Sequence, residues 1–203
     1  MRLPLPIASN SRRIVAYTLL SAIASAAACS SVVYQPAPVV PTKSPLPYSA
    51  KIKLLHVETY MVEPGATMIA DPRLENRVTG TSATEAQEKK AWEKSIGDYL
   101  AGRRTFTYLS TDSQTDLDVA LRLNVYIDPG LMFQFEHMYV ARIDATLTNP
   151  RTGRTRSYLG LGKAPGDISR GGKGDDQGPI NYAVQAALND LFGKIENDTG
   201  LRS

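Results

Sequence analysis

The chain of 203 residues has a single cysteine, Cys29, and two histidines, His56 and His137. A disulfide needs two cysteines, and a zinc site needs three or four converging Cys, His or carboxylate ligands. The sequence therefore excludes a disulfide-stapled scaffold, and it contains neither a Cys/His cluster nor an H-x-x-x-H spacing. We predict no metal ion and no other cofactor, and we expect both histidines to be structural residues of strands.

Sequence signatures of catalysis are also missing. No G-x-S-x-G motif, which would place a serine nucleophile on a sharp turn, occurs in the chain. The glycine-rich stretch 162–178 does not match a phosphate-binding loop, because Asp167 stands where Lys173 would require a glycine. We therefore predict that the protein is not an enzyme.

The carboxylates leave one catalytic alternative. Asp112, Asp116 and Asp118 lie close in sequence but lack the glycine and the terminal glutamate of a calcium-binding loop. Asp175 and Asp176 lie in the glycine-rich stretch. A hydrolase that uses carboxylates near this stretch would need two acids in a cleft, one of them with a raised pKa. Such a hydrolase is the alternative to a binding protein.

An uncharged segment near the N-terminus predicts export. Residues 14–28 carry no charge, follow Arg12 and Arg13, and end in small residues. This order is typical of a secretory signal peptide, so we assign residues 1–28 to a signal. A membrane-spanning helix needs roughly 20 apolar residues, which is more than this run provides.

The residues Ala26-Ala27-Ala28-Cys29 resemble the lipoprotein signal box of bacteria, in which a small residue directly precedes the modified cysteine. The resemblance implies that Cys29 is the lipid-attachment residue and carries a diacylglycerol and an N-acyl chain such as palmitate. Ser30, where an aspartate would retain a lipoprotein in the inner membrane, implies an outer-membrane anchor with the domain in the periplasm. Ala26 stands where leucine is commonest, so ordinary signal cleavage after Ala28 is the alternative.

Removal of the signal changes the charge balance. The full chain has a formal net charge of +3, and Arg2, Arg12 and Arg13 account for it. The remaining 20 basic residues equal the 20 acidic ones. Binding to nucleic acid depends on neutralising phosphates with basic side chains, so we expect no nucleic-acid partner.

Five prolines follow the cysteine and predict an extended segment. They are Pro36, Pro38, Pro41, Pro45 and Pro47. Prolines at this density favour a polyproline-like chain without internal hydrogen bonds. We predict that residues 29–50 comprise the lipidated cysteine and a tether, and that residues 51–203 form a single periplasmic domain.

Hydrophobic periodicity predicts the fold of that domain. Strands are predicted at 51–61, 105–109, 117–127, 133–148 and 154–161, and helices from Ser82–Glu85 to Ala101 before Gly102 and over 179–197. The order is β-α-β-β-β-β-α. Two amphipathic helices must cover one face of the sheet, so we predict an α+β, two-layer sandwich with a mainly antiparallel sheet of about five strands.

The other face of this sheet is the candidate binding surface. If the odd-numbered residues of the two long strands face the helices, then Tyr126, Met138, Val140 and Arg142 lie on the opposite side. Tyrosine, methionine and arginine are enriched in protein interfaces, so we predict that these four residues bind a partner. The alternative is a half-solvated face or a small second core beneath residues 62–81.

Signal box, proline-rich segment and α+β domain together resemble small outer-membrane lipoproteins of Gram-negative bacteria. The succession 106–109, 118–123 and 151–154 is similar to that in penicillin-binding-protein activator, curli-secretion and lipopolysaccharide-assembly lipoproteins. The resemblance implies a non-enzymatic, membrane-anchored protein that binds or helps assemble other cell-envelope components, with an envelope protein as partner. The alternatives are an envelope hydrolase and a structural spacer.

Metabolic labelling with an alkyne fatty acid checks the anchor. The wild-type protein is expected to become labelled, and Cys29→Ala is expected to remain unlabelled, because Cys29 is the only thiol in the chain. An unlabelled wild type would contradict lipid attachment and favour ordinary cleavage.

Overall fold

A five-stranded sheet with two helices on one face forms the body of the protein. The computed structural model describes residues 33–61, 86–111, 114–128, 136–167 and 177–202. The elements are β1 (Leu46–Met61), α1 (Ala86–Arg103), β2 (Phe106–Leu109), β3 (Leu117–Asp128), β4 (Glu136–Thr148), β5 (Thr155–Asp167), α2 (Gln177–Asn197) and a 3-10 turn (Thr199–Leu201). The predicted α+β class and element order are confirmed. The predicted start of the first helix, Ser82–Glu85, lies outside the described residues.

Parallel and antiparallel strand pairs occur equally in the sheet. The strand order is β2-β1-β3-β4-β5. β1 is parallel to β2 and to β3, whereas the pairs β3–β4 and β4–β5 are antiparallel. The sheet is therefore mixed, and not mainly antiparallel as predicted. The helix α1 is the reason, because it carries the chain back after β1 so that the next strand runs in the same direction.

The alternating pattern predicted for β3 is confirmed. Val119, Leu121 and Leu123 are at most 1% exposed and face the helices. The predicted apolar faces of both helices also lie in the core, through Trp92, Ile96, Tyr99, Leu100, Ile180, Val184, Ala187, Leu188, Leu191, Phe192 and Ile195. The rings of Tyr99 and Phe192 lie 6.2 Å apart between their centroids and join the two helices.

The helix α1 ends beyond the predicted terminator, Gly102. It continues to Arg103, and Arg104 adopts a left-handed conformation with φ of 59°. The Arg104 N–H donates to Leu100 O at 2.9 Å, which caps the helix. A left-handed conformation costs a non-glycine residue about 1–2 kcal/mol, so an arginine is unusual at this position.

The strand β5 is longer than predicted. The prediction of a loop over the glycine-rich stretch 162–178 is wrong at both ends, because residues 162–167 continue β5 and residues 177–178 begin α2. Residues 168–176 lie outside the described part of the chain. Within this stretch, Gly162 has a packing role that turn statistics do not indicate.

Gly160 and Gly162 allow α2 to approach β5 closely. A Cβ atom on Gly160 would overlap the carbonyl oxygen of Ala187, and one on Gly162 would overlap that of Ala183. The helix backbone thus lies directly on the strand at these two positions. Any side chain larger than hydrogen would push the helix away from the sheet.

Side chains of α2 cover the outer edge of β5. The Leu161 N–H donates to Asp190 Oδ2 at 3.0 Å, and Lys194 Nζ donates to Leu159 O at 2.8 Å. Asp190 and Lys194 also pair with each other at 2.7 Å. These contacts occupy backbone groups that an edge strand otherwise offers to a further strand.

Residues 33–45, which we call the strap, lie against the helices. Tyr34 is fully buried, and its ring stacks on Trp92 at a centroid distance of 6.4 Å. Its hydroxyl donates a hydrogen bond to Gln185 Oε1. Burial raises the pKa of Tyr34, so this hydroxyl remains a donor throughout the physiological range.

The predicted tether over residues 29–50 is therefore wrong for residues 33–50. The strap lies on the helices, and β1 begins at Leu46, which is 1% exposed. Prolines favour an extended chain, but an extended chain with anchoring side chains can lie along a surface. The compact unit begins at Val33, and residues 29–32 lie outside the described residues.

A buried ion pair joins the strap to both helices. Glu196 of α2 is 5% exposed and pairs with Arg103, with Nε–Oε1 at 2.8 Å and Nη2–Oε2 at 2.9 Å. Thr105 Oγ1 donates to Glu196 Oε1 at 2.6 Å, and Thr42 Oγ1 donates to Glu196 Oε2 at 2.8 Å. Burial alone would raise the pKa of Glu196, but the four hydrogen bonds outweigh burial and lower it from the ordinary value of 4.5.

Substitution of Gly162 tests the close approach of α2. We expect Gly162→Ala to lower the free energy of unfolding by about 3 kcal/mol, because the added methyl overlaps the helix backbone. The matched control is Gly193→Ala in α2, where an added Cβ meets no atom within 4 Å. This change should raise stability by about 0.5–1 kcal/mol through helix propensity. Urea denaturation measures both, and equal effects would contradict the packing.

Substitution of Glu196 tests the buried ion pair. We expect Glu196→Gln to destabilise the protein by about 3 kcal/mol at neutral pH, because Arg103 loses its carboxylate in a buried site. The lowered pKa means that the stabilisation is present above pH 4.5 and is lost as the pH falls further. The melting temperature of Glu196→Gln should therefore fall less than that of the wild type when the pH is lowered below 4.5.

The exposed pair Lys94–Asp98, at 2.6 Å, provides the control for Glu196. Asp98→Asn should cost less than about 1 kcal/mol, because exposed ion pairs contribute little. A Glu196 variant that behaves like this control would show that the buried pair is not essential.

Candidate functional site

The sheet face turned away from the helices carries the candidate site. Residues that alternate with the core point to this face, and the register places Asn124 of β3 opposite Arg142 of β4. Glu58 of β1 lies beside Asn124, and Leu161 of β5 lies beside Arg142. We call this surface the open face, formed by His56, Glu58, Arg122, Asn124, Tyr126, Met138, Val140, Arg142, Asp144, Leu159 and Leu161.

Two pairs of polar side chains lie within single strands of the open face. His56 Nε2 lies 2.8 Å from Glu58 Oε2. Arg142 donates twice to Asp144, with Nε–Oδ2 at 2.9 Å and Nη2–Oδ1 at 3.0 Å. Residues two apart in a strand share a face, so both pairs lie along the surface. Arg122, opposite His56 and Asp144 in the register, adds an exposed positive charge between them.

The four residues predicted to bind a partner have different surroundings. Tyr126 and Val140 lie opposite each other and are 6% and 8% exposed, so neither offers surface to a partner. Met138 is 36% exposed, and the Arg142 side chain is 20% exposed. The alternative of a small second core fits Tyr126 and Val140. Residues 62–81, which that alternative invokes as the cover, lie outside the described part of the chain.

Two apolar residues of the open face were not among the predicted site residues. Leu159 and Leu161 are 38% and 46% exposed. They alternate with Gly160 and Gly162, which face α2, so the leucines point to the opposite side of β5. The period-2 pattern of glycine and leucine in the sequence was the signal that could have identified them.

Asn124 lies in the middle of the open face with an unsatisfied atom. The residue is 4% exposed, and its Oδ1 is buried without a hydrogen-bond partner, the one such side-chain atom among the described residues. An unsatisfied buried acceptor costs about 1–3 kcal/mol. Native structures retain few such atoms, and each needs a reason beyond packing.

The described carboxyl groups with a clear pKa shift all shift downward. Ser49 donates to Asp116 Oδ2 from its backbone N–H at 3.0 Å and from its hydroxyl at 2.7 Å, which lowers the pKa of Asp116. A hydrogen bond from Tyr158 Oη, at 2.5 Å, lowers the pKa of Asp198. Glu196 follows the same pattern. A general acid needs a raised pKa, which these three groups do not have.

The structure does not describe the carboxylates that the hydrolase alternative would use. Asp112, Asp175 and Asp176 are outside the described residues. Within the described ranges, no three His, Cys, Asp or Glu side chains come together as a potential metal site. Neither of the two described helices combines the length and the apolarity needed to cross a bilayer.

Comparison with known proteins yields structural likeness without a family. No protein-family model matches the chain, and no curated protein matches it. Protein XCC0632 from Xanthomonas campestris, of the family DUF330, is similar in structure with a TM-score of 0.47 and 13% identity, over 84% of this chain and 99% of that one. Likeness at such low identity does not extend to function.

Two further solved structures are similar to this chain with lower TM-scores. A homolog of a neuraminyllactose-binding hemagglutinin from Helicobacter pylori has a TM-score of 0.37 and 12% identity, over 78% of this chain and 84% of that one. The hypothetical protein CT253 from Chlamydia trachomatis has a TM-score of 0.40 and 10% identity, over 74% and 96% of the two chains.

Proposed function

We propose that this chain is a lipid-anchored protein of the outer membrane whose periplasmic domain binds another envelope protein without catalysing a reaction. The anchor is a diacylglycerol and an N-acyl chain on Cys29, as the residues 26–29 imply. The equal numbers of basic and acidic residues after the signal support a protein partner over nucleic acid.

Three exposed apolar side chains on the open face carry the proposal. Met138, Leu159 and Leu161 are each more than one-third exposed and lie on the neighbouring strands β4 and β5. The register places Leu161 opposite Arg142 and Leu159 opposite Asp144. Apolar side chains beside a fixed guanidinium fork are typical of the energetic centre of a protein interface.

The edge of β5 limits how such a partner can bind. Asp190 and Lys194 already occupy backbone groups at Leu161 and Leu159, so strand addition is blocked at this point. The partner is therefore expected to lie on the face.

Site-specific photo-crosslinking in intact cells tests the proposal. A photoreactive amino acid in place of Leu161 is expected to give one discrete protein adduct, because position 161 is 46% exposed on the open face. The same replacement at Tyr182, which is 66% exposed on α2, is the matched control and should give no adduct.

Other results would contradict the proposal. Equal adducts from both positions would mean unspecific contact, and the absence of an adduct from either is the result that a structural spacer predicts. Turnover of an envelope substrate by the purified protein, lost in Asp175→Ala, would establish the hydrolase alternative instead.

A further inference from the structure

A groove of about 710 Å³ lies beside β2, at the opposite edge of the sheet from β5. Its apolar lining includes the exposed residues Pro47 and Ala101, which lie over the buried side chains of Leu46, Leu100 and Phe106. Pro45 and Tyr108, which is 55% exposed, stand at its rim. The volume falls in the range of roughly 300–1,000 Å³ that is common for small-molecule sites, and the walls are predominantly apolar.

Backbone groups around the groove already have partners. Arg103 O accepts a hydrogen bond from the Thr42 N–H at 2.7 Å, and Thr105 O accepts one from the Leu46 N–H at 2.7 Å. The capping bond from Arg104 occupies Leu100 O. These three carbonyl groups are therefore occupied, and an apolar chain fits the predominantly apolar walls.

Arg104 is the exception in this apolar lining. Its side chain lines the groove and is exposed. No ion pair or side-chain hydrogen bond to Arg104 is present in the described part of the chain. Its backbone is held in the left-handed region, where glycine would fit without strain. The left-handed backbone is explained by the cap of α1, whereas the unpaired guanidinium is available to an anionic group in the groove.

We propose that this groove binds a single-chain anionic lipid, with the acyl chain along the exposed apolar lining and the carboxylate on the guanidinium of Arg104. A guanidinium fork matches a carboxylate and adds charge-assisted hydrogen bonds. An acyl chain requires no hydrogen-bond partners, which fits the occupied backbone groups around Leu46 and Leu100.

A peptide strand added to β2 is the less suitable occupant. β2 has four residues, Phe106–Leu109, so it offers few backbone groups to a further strand. A single cation with apolar walls matches an amphiphile with one charged end better than an extended chain of alternating donors and acceptors.

Titration of the purified full-length protein with a fluorescent polyene fatty acid tests the proposal. We expect saturable binding at one site per chain, weakened about tenfold in Arg104→Gln, because the charge-assisted hydrogen bond is lost. The matched control is Arg154→Gln, which removes an exposed arginine near the β4–β5 connection and should leave the affinity unchanged. If Arg104→Gln folds poorly, Arg104→Gly should fold and show the same loss.

A groove-filling variant and a neutral ligand complete the test. Ala101→Trp places an indole in the groove and should abolish binding of both the acid and its methyl ester. Arg104→Gln should weaken binding of the acid alone. Unchanged affinity in Ala101→Trp, equal affinity for acid and ester in the wild type, or binding of an extended apolar peptide without binding of the acid would each overturn the proposal.

Discussion

The carboxylate of Glu196 is the charge on which the arrangement of the domain depends. A buried ion costs several kcal/mol unless its lone pairs are satisfied. Here each carboxylate oxygen of Glu196 accepts two hydrogen bonds. The donors come from two separated segments, the strap at Thr42 and the junction of α1 and β2 at Arg103 and Thr105. Because these three residues must be in place together, one anion determines how the strap, the first helix and the edge strand meet α2.

The close packing of α2 against β5 has a different origin. Two glycines of β5 remove the side chains that would separate strand and helix, so Asp190 and Lys194 can reach around the edge. The same alternation turns Leu159 and Leu161 to the open face. A single sequence feature, glycine at every second position, thus sets the helix distance, the protection of the edge and the apolar character of the candidate site.

Much of this architecture could be predicted from local pattern. The alternation in β3 and the apolar face of α2 reflect burial on one side, which periodicity records directly. The strap could not be predicted, because prolines specify an extended chain and not where it lies; that depends on Tyr34 and Thr42 meeting partners about 150 residues away. The same holds for Tyr126 and Asn124, since alternation indicates a face but not what covers it.

The strap also reduces the number of residues that can act as a free tether. A free tether of 18 residues would reach roughly 55 Å, whereas only residues 30–32 separate Cys29 from Val33. Three residues span about 10 Å at most. Val33 is itself fixed at the start of α2, where Gln177 Nε2 donates to its carbonyl oxygen at 2.8 Å. If Cys29 carries the proposed acyl chains, the free part of the tether would be too short for the domain to search far from its anchor, and a partner would have to come to it.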